Sequence, residues 1–84
     1  MSKYKKLIDR LLRGNADADV DFDDLRHLLI RLGFEERVRG SHLIFRKAGI
    51  DERLNLQRDG HNAKPYQVRQ VRAVILNHQL EAND

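Results

Sequence analysis

The chain has 84 residues, no cysteine and a formal net charge of +3. That length allows one domain with a modest core, and the lack of cysteine excludes a disulfide framework and a cysteine-based zinc site. No apolar run exceeds four residues and the N-terminal stretch lacks the apolar core of a secretion signal, so the expectation is a cytoplasmic protein with no membrane segment.

Five apolar residues, Tyr4, Leu7, Ile8, Leu11 and Leu12, recur at helical spacing and predict a first amphipathic helix, with Ser2 placed to cap its start and Gly14 its end. The small, acidic stretch that follows, residues 15–21, reads as a mobile linker that could let this helix dock elsewhere. A second helix is sharply punctuated. Asp21 is its N-cap, Asp24 stands at N3, Val20 can pack on Leu25 as a staple, and Phe22, Leu25, Leu28, Leu29 and Leu32 form the buried stripe. Gly33 supplies a left-handed terminator, with Phe34 folding back on Leu29.

Beyond Gly33 the period changes to alternation. Residues 34–40, 41–49 and 51–60 each read as a short strand with a glycine turn, and three such strands in succession predict an antiparallel meander. In the second strand Leu43 and Phe45 share one face and His42, Ile44 and Arg46 the other; in the third, Leu54 and Leu56 oppose Asn55 and Gln57. A last helix begins at Lys64-Pro65 and runs through Val68, Val71, Val74 and Ile75, with Gln67, Arg69, Gln70 and Arg72 on its polar side. Residues 77–84 lose the pattern and are expected to fray. The fold class is therefore α+β: a three-stranded antiparallel sheet with helices packed on one face, α-β-β-β-α over residues 21–80. An extra N-terminal helix and linker occupy residues 1–20, and a frayed tail residues 81–84.

Charge is distributed unevenly. From residue 37 to residue 72, Arg37, Arg39, Arg46, Lys47, Arg53, Arg58, Lys64, Arg69 and Arg72 face only Asp51, Glu52 and Asp59, a local excess of six positive charges. Such a stretch suits a phosphate-bearing partner and suits equally the solvated surface of a small basic domain. Two metal readings fail. Asp17, Asp19, Asp21 and Asp23 alternate like a calcium loop, but Phe22 and Leu28 stand where glycine and glutamate are needed. His27, His42, His61 and His78 are too widely spaced for a zinc pair on one element.

A helix ending Leu32-Gly33-Phe34, a strand entered through Gly40-Ser41-His42 and continued by Leu43-Ile44-Phe45, a third strand, and a helix beginning near Lys64-Pro65-Tyr66 together resemble the HicA toxin family over residues 22–75. The Gly40-Ser41-His42 element is the most specific, because the family places such a motif at this strand and uses its histidine to cleave RNA. The resemblance implies a fold like a double-stranded-RNA-binding domain and an endoribonuclease acting on messenger RNA without metal or other cofactor. It also implies a prokaryotic cytoplasmic setting and a HicB-like antitoxin that covers the active surface. The N-terminal helix is an addition to the family pattern, and antitoxin contact, self-association and core cover are all open to it.

Metal-free RNA cleavage needs a base for the ribose 2′-hydroxyl and a proton for the departing 5′-oxygen. Imidazole, which in general titrates at about pH 6.5, suits both jobs. His42 is the catalytic candidate, as base or acid. Arg46, Lys47, Lys64 and the backbone at Gly40 and Ser41 are candidate RNA contacts, joined by His61 after the third strand. The competing readings are a surface strand histidine at 42, an exposed turn at 61 and solubilising arginines; no role is assigned to His27 or His78. A non-catalytic RNA-binding or protein-interaction module on the same fold is the alternative function.

Overall fold

Helix α2 (Phe22–Arg31) begins where Asp21 holds an extended backbone and its Oδ1 accepts the Asp24 N–H at 3.0 Å, a cap that contributes about 1 kcal/mol. It ends where Gly33, at φ +98°, turns the chain left-handed. The Gly33 N–H then reaches the Ile30 carbonyl and the Phe34 N–H the Leu29 carbonyl, both at 3.0 Å, and Phe34 and Leu29 are buried. This element, the sharpest in the sequence, is as expected.

The computed structural model describes residues 3–14 and 17–82. Around α2 it places α1 (Lys3–Arg13), a single 3-10 turn (Asp17–Asp19), strands β1 (Glu35–Arg39), β2 (His42–Lys47), β3 (Ile50–Asp59) and β4 (Asn62–Ala63), and α3 (Pro65–His78). The class is α+β with an antiparallel sheet in the order β1-β2-β3-β4. The sheet has four strands where three were expected. The fourth is a two-residue strand pairing Arg58 with Ala63 and Asp59 with Asn62, too short to show alternation in sequence.

Register fixes which residues share a face. Phe45 pairs with Leu54 and Leu43 with Leu56, and these residues join α1, α2 and α3 in one apolar cluster. The cluster includes Leu7, Ile8 and Leu11 of α1, which therefore covers core.

The structure differs from two expectations, about the acidic stretch and the C-terminal tail. The acidic stretch, where it is described, packs against α3 and β4. Arg72 of α3 grips the Asp17 carboxylate through two hydrogen bonds of 2.9 and 2.8 Å and also reaches the Leu11 carbonyl at 3.3 Å. Ala63 then donates its N–H to Val20 and Phe22 its N–H to His61, stitching the run into α2 alongside β4. Asn15 and Ala16 of that stretch, and the expected cap Ser2, lie outside the described residues. At the other end α3 continues to His78, Gln79 turns left-handed at φ 51°, and Leu80 donates to the Ile75 carbonyl at 3.0 Å. Ala82 is buried, so the described part of the tail packs; Asn83 and Asp84 lie outside the description. Among the described residues no helix is long and apolar enough to cross a membrane.

Candidate nucleic-acid interface

His42 opens β2 directly after the Gly40-Ser41 turn, where Gly40 sits at φ +58°. Because Leu43 and Phe45 turn inward, strand alternation turns His42 to the face away from the helices, where it is half-buried. Its Nδ1 lies 3.0 Å from Oδ1 of Asn55 on β3. An amide oxygen can only accept, so Nδ1 carries the proton in this contact and the neutral ring presents Nε2 as an acceptor. The ring is thus held in the orientation and tautomer that a general base requires.

The same face carries Arg37 and Arg39 from β1, Arg46 from β2 and Arg53 from β3, all exposed. Arg39 is the register partner of His42 and Arg37 of Ile44, while Arg46 stands across from Glu35. None of the four arginines has an ion pair or side-chain hydrogen bond among the described residues. Neutralisation occurs on the helical side. There Arg26 holds Glu36, Arg58 holds Asp23, Arg72 holds Asp17 and Lys3 holds Asp24. Strand alternation also puts the exposed Glu35, Asp51 and Asp59 on this face, so it carries a slight basic excess, with Arg39 the arginine beside His42 in register.

The other expected site residues divide between this region and elsewhere. Lys64, the N-cap residue of α3, donates to Gln57 Oε1 at 3.2 Å, and Gln57 Nε2 donates to Ser41 Oγ at 3.5 Å. Gln57 is the register partner of His42, so Gly40, Ser41 and Lys64 do gather at the histidine's end of the sheet. His61 is exposed in the β3–β4 turn at that same end, and its ring makes no hydrogen bond among the described residues. Arg46 shares the face but lies four residues along the strand, roughly 13 Å away. Lys47 stands on the opposite side of the sheet from His42. It shares the inward side of Leu43 and Phe45, and a Cβ built on Gly33 would stand 2.5 Å from its Nζ, which puts the ammonium at the negative end of α2.

Asn55, Gln57, Arg37, Arg39 and Arg53 were not singled out from sequence as site residues. Alternation already put Asn55 and Gln57 on the polar face of their strand; only the register reveals that they flank His42. Gln67, 2% exposed, was assigned to the polar side of α3; instead its Oε1 accepts the Gln57 N–H at 3.0 Å, closing the edge of β3 beyond the short β4. No group of three or more histidine or carboxylate side chains is arranged to hold a metal ion among the described residues.

Two part-exposed carboxylates, Asp23 on α2 and Glu52 on β3, give the molecule an acid response. The Arg58 guanidinium hydrogen-bonded to Asp23 holds that carboxyl below its ordinary value of 3.8, and His78 likewise lowers Glu52 from 4.5. Each carboxylate thus stabilises the fold above its unfolded value, and that contribution is lost as pH falls through the lower folded value. The urea midpoint is expected to decline once pH drops below about 4.5, with Asp23→Asn plus Glu52→Gln making the decline shallower. The change is small, because solvent screens both pairs.

Compared with known proteins, the chain matches no family model, no curated protein and no solved structure.

Proposed function

We propose that this protein is a HicA-like toxin: a metal-independent endoribonuclease that cleaves messenger RNA on the helix-free face of a double-stranded-RNA-binding-like scaffold. A HicB-like antitoxin would hold it in check by covering that face. The observation that carries the reading is the placement of His42, its Nδ1 tied to Asn55, on the helix-free sheet face beside Arg39, which has no ion pair among the described residues. An RNA backbone can supply anions to the arginines of this face.

In this scheme Nε2 of His42 takes the proton of a ribose 2′-hydroxyl as its oxygen attacks the adjacent phosphorus. The P–O5′ bond breaks, the leaving oxygen takes a proton from water, and a 2′,3′-cyclic phosphate remains on the upstream fragment. Arg39, across the strand pair from His42, is the first candidate to balance the extra charge on the phosphorane. The test is incubation of the purified chain with single-stranded RNA in excess EDTA. Fragments bearing 2′,3′-cyclic phosphate and 5′-hydroxyl ends support the nuclease. Intact RNA that is nevertheless bound favours a binding module, a reading that gains from the absence of a hydrogen-bonded acidic partner for His42 among the described residues.

A further inference from the structure

A cleft of about 460 Å³ opens on the other side of the Gly40-Ser41 turn from His42, within the ~300–1,000 Å³ range of small-ligand sites. Phe22 and Val38 provide its apolar surface, Arg26 and Arg58 its charged walls, and Ser41 and Gln57 its hydrogen-bonding edge. The Arg58 guanidinium carbon lies 4.4 Å from the centroid of the Phe22 ring, and Arg58 is simultaneously hydrogen-bonded to Asp23 at 2.7 Å. A cationic plane is thus layered on an aromatic ring and locked there, with half of the side chain still exposed.

The charges of this cleft argue against a phosphate. Arg26 is engaged by both oxygens of Glu36, and Arg58 by Asp23, so an anion entering would meet a carboxylate beside each guanidinium. A neutral planar ring meets no such opposition. It can stack on the outer face of Arg58 and exchange hydrogen bonds with the hydroxyl of Ser41 and the amide of Gln57, groups whose mutual contact at 3.5 Å is long and readily displaced. A Cβ at Gly40 would have no neighbour within 4 Å, so the turn between cleft and histidine is open to a strand passing over it.

From this geometry we propose that the cleft receives one unpaired nucleobase of an RNA strand whose backbone crosses the Gly40-Ser41 turn onto the arginine face. It follows that the preferred ligand is single-stranded at that nucleotide, since a base inside a duplex must first give up its pairing and stacking to enter. The proposal rests on the RNA reading above, but its ligand and its readout are separate from cleavage.

The experiment uses the full chain carrying His42→Ala, so that bound RNA stays whole, and a short single-stranded RNA with a 2-aminopurine base at each position in turn. The matching controls are an abasic nucleotide at that position and the same strand in a duplex. One position is expected to show altered fluorescence and to lose about 5- to 100-fold in affinity when abasic, the range that base stacking supplies. Adding Val38→Trp, at a site 67% exposed and therefore free to grow outward, fills the cleft and is expected to abolish that difference while the abasic strand binds as before. Adding Arg58→Gln is expected to shrink it. Equal affinity for base-containing and abasic strands overturns the proposal, as does discrimination that survives Val38→Trp in a protein with unchanged circular dichroism. Cleavage by the native chain without base discrimination would leave the nuclease standing and remove the cleft; discrimination without cleavage would do the reverse. If no RNA binds at all, both are lost.

Discussion

His42→Ala is expected to lower RNA cleavage by about 10²- to 10⁴-fold, the usual worth of a positioned proton-transfer group, while RNA affinity changes little. The two effects should separate because the proposed scheme draws its phosphate contacts from arginine side chains on neighbouring strands and its proton transfer from one ring, oriented by Asn55. Parallel measurements of single-turnover cleavage and of binding in EDTA distinguish them. Asn55→Ala should act more mildly and through the ring, by releasing Nδ1 and letting both tautomers populate. His61→Ala is the necessary control, since His61 occupies the same end of the sheet. Full activity in His42→Ala with loss in His61→Ala would move the reaction centre to the β3–β4 turn and end the assignment made here.

The second large effect belongs to the arginines. Replacing Arg37, Arg39, Arg46 and Arg53 together by glutamine should leave the fold nearly as stable as before, because none of the four is buried or paired. RNA binding should suffer heavily. Each lost phosphate contact on a single strand removes about 0.7 from the slope of log affinity against log salt, so the set is expected to remove up to about 2.8. Lys47→Gln, on the inward side of the same strand, should leave the slope unchanged. A salt slope untouched by the fourfold change would show that RNA, if bound, lies on another surface.

The parts of the fold legible from sequence are those set by neighbours in the chain. Asp21 and Gly33 bracket α2 because a cap and a left-handed glycine act within a few residues, and the alternation of Leu43, Phe45, Leu54 and Leu56 identifies the inward face without any knowledge of pairing. The same alternation excluded Lys47 from the face of His42, a signal that was present but overridden by its charge. What could not be read depends on contacts across the chain. Asp17 is held by Arg72 from 55 residues away, so an acidic run that looks like a tether in sequence is clamped in the fold. β4 is too brief to carry a period, and Asn55 and Gln57 become neighbours of His42 only through the register of β2 on β3. In the candidate site, the histidine, its turn and the basic run were visible, while the group that orients the ring and the register that puts Arg39 beside it were not.

The two margins of the sheet are finished differently. Beyond β4 the chain entering α2 supplies backbone partners, and Gln67 meets the Gln57 N–H of β3. The opposite margin is β1, and its sequence, Glu35-Glu36-Arg37-Val38-Arg39, is almost wholly charged. Charged side chains along a lone edge oppose the addition of a further strand. Along that margin the domain is thereby kept from stacking edge to edge into aggregates.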